Sequence, residues 1–284
     1  MSERIAVFAD VHGSYTALAA MYQDSLKQHV DHYWFMGDLF LPGPGAANVW
    51  QLMQKIAPEY IVRGNWDDLA VRGAAGQMDL DKPSHVYFAR LAQWLSTQLP
   101  STVFNKMAKW PLHRTMTAGK YRFSLAHNLP DLNMGQHLFP TNDSANFDHA
   151  FPGNEDVVIY AHVHHELMRY ATDERLVFNP GSVGEPFNGW QRIQDDMRAR
   201  YLILTVDSMG ISDIHFRHVP YQRDLELVAA EQAHVPYLEL YEKQLKTGLV
   251  YTHDQKLLDH YNRLYGYADE YRRFQHDLGE NGYD

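Results

Sequence analysis

The chain has 284 residues, 45% of them hydrophobic and 21% charged, with no cysteine; it can bury a full core, and disulfides, thiolate ligands and a Cys nucleophile are excluded. A formal net charge of -10 argues against binding a nucleic acid polymer, because Lys and Arg neutralising phosphates dominate that contact. A small anionic substrate stays open, since bound cations reverse the local field.

In chain order, the polar start Ser2-Glu3-Arg4 leads into Ile5-Ala6-Val7-Phe8. That run is too short for a signal segment, and no stretch approaches about 18 apolar residues, so a cytoplasmic protein with no membrane partner is expected. Residues 5–9 read as a buried strand. Ser14 caps a helix whose apolar face carries Leu18, Met21, Tyr22 and Leu26. A second strand follows at 33–36, a second helix at 46–56 and a short third strand at 60–62. This βαβ alternation predicts a parallel sheet with helices on both faces. Residues 67–120 look mainly helical. Strands are then expected at 121–126, 157–160, 167–170, 176–178 and 201–206, with the polar stretch 131–153 as a loop over one face.

From Pro220 the texture turns helical. Leu257, Leu258, Tyr261, Leu264 and Tyr265 form a stripe behind Thr252 as N-cap. Half of the 18 tyrosines lie at or after Tyr221. We therefore divide the chain into a main domain, 1–219, and a helical C-terminal extension, 220–284, that offers a lid or a homo-oligomer contact.

Five short segments carry the chemistry: Asp10-Val11-His12-Gly13, Gly37-Asp38, Gly64-Asn65-Trp66-Asp67, Ala126-His127 and His162-Val163-His164. Each falls at the carboxyl end of an expected strand, where open α/β sheets gather ligands. In extended chain, residues i and i+2 share a side, so Asp10 and His12 converge around Val11, and His162 and His164 around Val163. Carboxylate, amide oxygen and imidazole without sulfur suit Mn, Fe, Zn or Co. Seven donors are too many for one ion but suit two.

These motifs in this order, with Asn179-Pro180-Gly181-Ser182 behind them, resemble the calcineurin-like metallophosphoesterase superfamily over residues 5 to 206. Gly64-Asn65-Trp66, His162-Val163-His164-His165 and the Tyr-rich tail resemble the group containing the streptococcal asymmetrical diadenosine tetraphosphate hydrolase and phosphodiesterase. The resemblance implies an α/β fold, a four-layer α/β/β/α sandwich with the helical extension added. It implies that Asp10, His12 and His164 bind one metal, Asn65, His127 and His162 the other, and that Asp38 bridges them. Mn or Fe is the expected metal, with Zn or Co as alternatives. Asp10, Asp38, Asn65 and His127 would then be catalytic, around a water bridged by ions about 3.5–4 Å apart that attacks phosphorus in line.

One departure stands out. The superfamily motif reads Gly-Asn-His-Asp, its His protonating the leaving oxygen, and here Trp66 holds that place with Asp67 left without an imidazole to orient. A nucleotide or polyphosphate leaves as a stable anion without that proton, so the expected enzyme hydrolyses phosphodiester or phosphoanhydride bonds of nucleotides, diadenosine tetraphosphate among them. A protein phosphatase and a non-catalytic metal-binding scaffold are the alternatives. Trp66 either stacks a nucleobase or walls the site, Arg63 either clamps a phosphate or pairs within the protein, and His165 either donates to phosphate or packs. The loop Leu41-Pro42-Gly43-Pro44-Gly45 is a turn or an anion cradle.

Overall fold

Strand β1 (Glu3–Phe8) sits at the centre of the fold. Ile5 and Val7 face one side, Ala6 and Phe8 the other, and both sets are buried, as a strand covered on two faces requires. In the computed structural model, which describes residues 2–280, β1 leads to α1 (Tyr15–Lys27), β2 (His32–Phe35), α2 (Ala46–Ile56), β3 (Tyr60–Ile61) and α3 (Asn65–Ala74). Then come α4 (Pro83–Gln98), α5 (Ser101–Met107), β4 (His113–Ala118), β5 (Tyr121–Ala126), α6 (Ser144–Asp148), β6 (Val157–Ile159), β7 (Glu166–Tyr170) and β8 (Leu176–Pro180). The short α7 (Gln191–Gln194) precedes β9 (Ala199–Asp207), β10 (Gly210–Val219), α8 (Arg223–Gln232), α9 (Leu238–Thr247), α10 (Gln255–Tyr265) and α11 (Tyr267–Glu280).

The strands form two sheets, ordered β10-β9-β1-β2-β3 and β4-β5-β6-β8-β7. In the first, Val7 lies opposite Trp34 in a parallel pair and opposite Leu202 in an antiparallel one. Between the sheets, Ile5, Val7, Trp34 and Leu204 meet Phe123, Leu125, Ile159 and Phe178 in one buried layer. Trp34 joins the two sheets, edge-on to Phe123 at 5.3 Å, a geometry that adds about 0.5–1.5 kcal/mol beyond area burial. The outer face of the first sheet packs Phe8, Phe35 and Tyr201 under the helices. The outer face of the second packs Val158, Tyr160 and Val177 under Leu138, Phe147 and Phe151. The order is therefore α/β/β/α. That is the four-layer sandwich the resemblance implies; the narrower expectation from βαβ alternation, a parallel sheet with helices on both faces, is corrected, because β9 and β10 run antiparallel and the second sheet covers one face of the first.

Other expectations are corrected locally. Strand β4 lies inside the stretch read as helical, and β10 was not anticipated. Each is a sheet edge whose side chains are mixed in polarity and only partly buried, so neither shows clean alternation. The loop 131–153 contains α6. Leu26 leaves the face of α1 at 47% exposed. The cap of α10 is Asp254, whose carboxylate accepts the Leu257 N–H at 3.0 Å, rather than Thr252. On that helix Leu258 and Asn262 are buried while Leu264 and Tyr265 are exposed, so the buried stripe is narrower than the sequence suggested.

The helices after Val219 share the core already described. Tyr237, Leu240, Tyr241 and Leu258 lie in the cluster that holds Phe8 and Phe35. Trp94 donates to the Ala233 carbonyl at 2.9 Å, Arg90 pairs with Glu270 at 2.6 Å, and the Tyr271 hydroxyl donates to the Gly73 carbonyl at 2.9 Å. Among the described residues no helix is long and apolar enough to cross a membrane. Residues 281–284 of the expected extension lie outside the described residues.

Candidate metal centre

Both sheets deliver polar residues at the carboxyl ends of their strands. Asp10 and His12 follow β1, Asp38 follows β2, and Asn65 opens α3 just after β3; His127 follows β5, and His162 and His164 follow β6. Their convergence does not come from extended chain, as the sequence reading supposed. Asp10, His12, Asp38, His162 and His164 all have left-handed φ, between 49° and 66°. Such residues cost of order 1–3 kcal/mol each and persist where surrounding structure over-determines them. For Asp10, His12 and Asp38 the main chain does so: the N–H groups of Val11 and His12 both donate to the Asp38 carbonyl, at 2.9 and 3.1 Å, and Asp10 N–H donates to Gly37.

Gly64 is obligatory in this corner, because a Cβ there would lie 2.0 Å from Asp38 Oδ1. The 41–45 loop is a buried turn: Gly43 and Gly45 donate to the His12 and Gly13 carbonyls at 2.9 and 2.8 Å.

Three imidazoles are held in one orientation. His12 Nδ1 lies 2.7 Å from the Leu41 carbonyl, His127 Nδ1 2.6 Å from Met36, and His164 Nδ1 2.6 Å from Glu185. A carbonyl can only accept, so each Nδ1 carries a proton and each ring turns its Nε2 inward, where it offers a lone pair once the ring is neutral. His12 Nε2 and His164 Nε2 then face each other at 3.2 Å. Two lone pairs repel there unless a proton or a metal cation lies between them. Donors bound at about 2.0–2.1 Å to one tetrahedral ion lie about 3.3 Å apart, so the spacing suits shared ligation.

The carboxylates fit the same interpretation. Asp38 Oδ1 accepts the Trp66 N–H at 2.8 Å, leaving Oδ2 to face His127 Nε2 at 3.2 Å and His12 Nε2 at 3.8 Å. Asp10 Oδ1 faces His164 Nε2 at 3.5 Å and His127 Nε2 at 3.8 Å. The donor atoms of Asp10, His12 and His164 lie within 4.8 Å of one another, as do those of Asp10, Asp38 and His127. Both Asp10 oxygens, Asn65 Oδ1 and His127 Nε2 are buried without a hydrogen-bond partner. Each such group costs about 1–3 kcal/mol, more when charged, unless a ligand satisfies it. The residues present therefore fit a pair of cations.

Charge is shared unequally among these groups. Burial raises Asp10 to about 7, with His127 opposing and Asp38 reinforcing the shift. Burial also opposes charge on His127, but Asp38 and Asp10 outweigh it and push the imidazole up to about 10. Burial would raise Asp38 as well, yet His127 and His12 hold it well below the usual carboxylate range. Burial and His127 press His162 down to about 4.

The remaining predicted residues fall in different settings. His162 stands apart from both donor groups; its ring lies edge-on to His127 at 5.4 Å, and its Nε2 accepts the Gly135 N–H at 3.1 Å. Trp66 is 9% exposed, with its ring edge-on to His12 at 5.4 Å and to Phe88 at 4.9 Å. Arg63 pairs with Asp68 at 2.7 Å and donates to the Ala108 carbonyl at 2.8 Å. His165 lies between the rings of Phe139 and Phe187. It lines an open cavity of about 440 Å³ with Arg192, Arg200 and His218.

One acid was missed, and another, named in its motif, was given no structural role. Asp67, fully buried, accepts the N–H groups of Asp38, Leu39 and Gly64 at 2.9, 3.0 and 2.9 Å. It ties the β2 exit to the start of α3, a role its place at the third position of a helix following a glycine could have suggested. Glu185, also buried, has its Oε2 4.0 Å from His12 Nε2; an acid set between Val183 and Pro186-Phe187 was its only signal. Beneath the site, the turn 179–182 is anchored by Asn179 Nδ2 on the Ala161 carbonyl at 2.8 Å and Ser182 Oγ on the Asp10 carbonyl at 2.9 Å.

A family model of the calcineurin-like phosphoesterase superfamily domain matches residues 4–209. Among solved structures, the chain is similar to a metallophosphoesterase from Sphaerobacter thermophilus, with 23% identity over 87% of this chain and 100% of that one and a TM-score of 0.65. It is also similar to a hypothetical protein from Pyrococcus horikoshii OT3, with 17% identity over 87% of this chain and 98% of that one and a TM-score of 0.69. At these identities the likeness bears on the fold alone. No curated protein matches the chain.

Proposed function

We propose that this chain, which belongs to the calcineurin-like phosphoesterase superfamily and is a hydrolase acting on phosphoester bonds, cleaves phosphodiester or phosphoanhydride bonds of nucleotides, with dinucleoside polyphosphates such as diadenosine tetraphosphate foremost. The observation that carries the substrate class is Trp66, packed against His12, Tyr87 and Phe88 where the superfamily motif has an acid imidazole. Indole offers no acidic proton. A nucleotide or polyphosphate leaving group gains little from one, because it departs as a stable anion.

The family depends on a dinuclear metal centre. Carboxylate, amide and imidazole donors suit Mn or Fe, with Zn or Co also accommodated. Two such cations, when bound, supply Lewis acidity toward water and the phosphoryl oxygens. We assign Asp10, His12 and His164 to one ion and Asn65, His127 and His162 to the other, with Asp38 Oδ2 between them. Support comes from the inward Nε2 atoms and from the unpartnered oxygens of Asp10 and Asn65. For His162 to join, its ring must give up the bond from Gly135.

Asp10, Asp38, Asn65 and His127 are the residues we assign to the reacting centre. They hold the acceptor geometry, and Asp67 fixes the backbone of Asp38 from below. His165, at the edge of the 440 Å³ cavity, is the best supported of the three substrate contacts; Arg63 is engaged by Asp68, and Trp66 walls the site. The division into a main domain, 1–219, and an extension, 220–284, is part of the proposal, supported by β10 ending at Val219 and only helices following among the described residues.

The test is a substrate panel with Mn-loaded protein and products resolved by chromatography. Diadenosine tetraphosphate and nitrophenyl phosphodiesters are expected to turn over well, and alkyl phosphomonoesters poorly. Equal rates across leaving groups of widely different basicity, or faster turnover of a phosphopeptide, would overturn the substrate assignment.

A further inference from the structure

Four carboxylates are buried around the candidate centre: Asp10, Asp38, Asp67 and Glu185. Among the described residues none of them pairs with Lys or Arg; the ion-pair contacts of Asp10, Asp38 and Glu185 are all to histidines. Two divalent cations would balance four such charges. Asp67 is occupied by three backbone N–H groups, and Asp10 and Asp38 already have places in the site. Glu185 has none.

Its surroundings point to one. Glu185 touches both imidazoles of the first ion, its carboxylate facing His12 and its main-chain carbonyl accepting from His164 Nδ1 at 2.6 Å. Its own N–H donates to Ser182 Oγ at 2.8 Å, and that hydroxyl donates to the Asp10 carbonyl at 2.9 Å, so the Glu185 backbone is tied to that of Asp10. Oε1 is buried without a partner, and the neutral Gln244 side chain from α9 adjoins the group.

A hydrogen bond to His12 does not explain the contact. The separation of 4.0 Å exceeds a hydrogen bond, and Nδ1 of the ring is already engaged by the Leu41 carbonyl. Glu185 Oε2 and His12 Nε2 thus face a common space as two potential metal donors, as the Nε2 atoms of His12 and His164 do. Two donors on one ion with bonds of about 2.1 Å lie at most about 4.2 Å apart. The observed 4.0 Å falls inside that limit, so one ion could take both donors.

We propose that Glu185 is an additional carboxylate ligand of the ion held by Asp10, His12 and His164. It gives that ion a more anionic, oxygen-rich shell than its neighbour, which favours Mn or Fe over Zn. The proposal rests on the assignment of those three residues to an ion.

The experiment is calorimetric titration of Mn into metal-stripped wild type and Glu185→Gln, with electron paramagnetic resonance of the bound Mn. Wild type is expected to take two ions. Glu185→Gln is expected to lose at least about tenfold in affinity at one site, with the other unchanged and the coupled two-Mn signal diminished. Glu185→Asp, which keeps the charge and shortens the reach, is expected to fall between them and guards against a Gln variant that does not fold. Glu185→Gln and Glu185→Asp that both bind two ions as wild type does would overturn the proposal and leave the site reading intact. Wild type that binds no ion would overturn both.

Discussion

Replacing Asp67 with Asn changes one atom in a buried carboxylate, and the consequence follows from its three hydrogen bonds. Oδ2 accepts the N–H groups of Asp38 and Gly64, and Oδ1 accepts that of Leu39. An amide retains a single acceptor oxygen. Its best orientation keeps that oxygen at the Oδ2 position and turns the NH2 group against the Leu39 N–H, donor to donor. One charge-assisted bond is lost, about 1.5–3 kcal/mol, and one buried N–H is left unpaired, about 1–3 kcal/mol. Removing a like charge from beside Asp38 offsets part of this, leaving a net loss of about 2–4 kcal/mol. In equilibrium urea unfolding of the metal-free protein, Asp67→Asn is expected to shift the midpoint down by about 1 M. Mn retention and turnover are expected to fall with it, because the Asp38 backbone loosens. A midpoint within about 0.2 M of wild type, with turnover unchanged, would refute the role given to Asp67.

Trp66→His restores the imidazole of the superfamily motif. It is expected to raise the rate on poor leaving groups relative to nitrophenyl esters, while costing about 2–4 kcal/mol of packing; a rate ratio equal to wild type contradicts the acid-deficient reading. Metal binding is expected to release protons and to weaken as pH falls. Asp10 and His127 are raised to about 7 and about 10, so protons they retain at neutral pH must leave before a cation enters. Affinity then drops about tenfold per pH unit for each proton displaced. Calorimetry in two buffers of different ionisation enthalpy reads the proton count, and a count of zero contradicts this. Leu258→Ala removes a fully buried side chain of α10 from the core shared with Phe8 and is expected to cost about 2–5 kcal/mol. Denaturation followed by fluorescence and circular dichroism is expected to shift as a single transition; a separate early step for the C-terminal helices would contradict the shared core.

The candidate site was legible in the sequence to the extent that its chemistry is local. Asp10, Asp38 and His127 each follow a short apolar strand at its carboxyl end, and both features can be read along the chain. The backbone that brings them together could not be read so. Five of the expected donors adopt left-handed conformations, those of Asp10, His12 and Asp38 within loops joined by backbone hydrogen bonds, and extended alternation was the wrong reason for a correct convergence. Glu185 was invisible because it gains meaning only when the turn after β8 returns to Asp10 and His12. Edge strands escaped for another reason. Residues of β4 and β10 are paired on one side only, with water on much of their surface, so no apolar alternation marks them. The second sheet was legible as a layer only through the family resemblance, since nothing local in residues 121–178 says which face covers β1.

The central claim is a two-ion phosphoesterase centre organised about Asp38. Its most direct test is titration of Mn into metal-stripped protein while following hydrolysis of bis(p-nitrophenyl) phosphate. We expect activity to rise from zero and saturate at two ions per chain, with Asp38→Ala flat throughout. Turnover that persists without metal, or an Asp38→Ala variant as active as wild type, would contradict it.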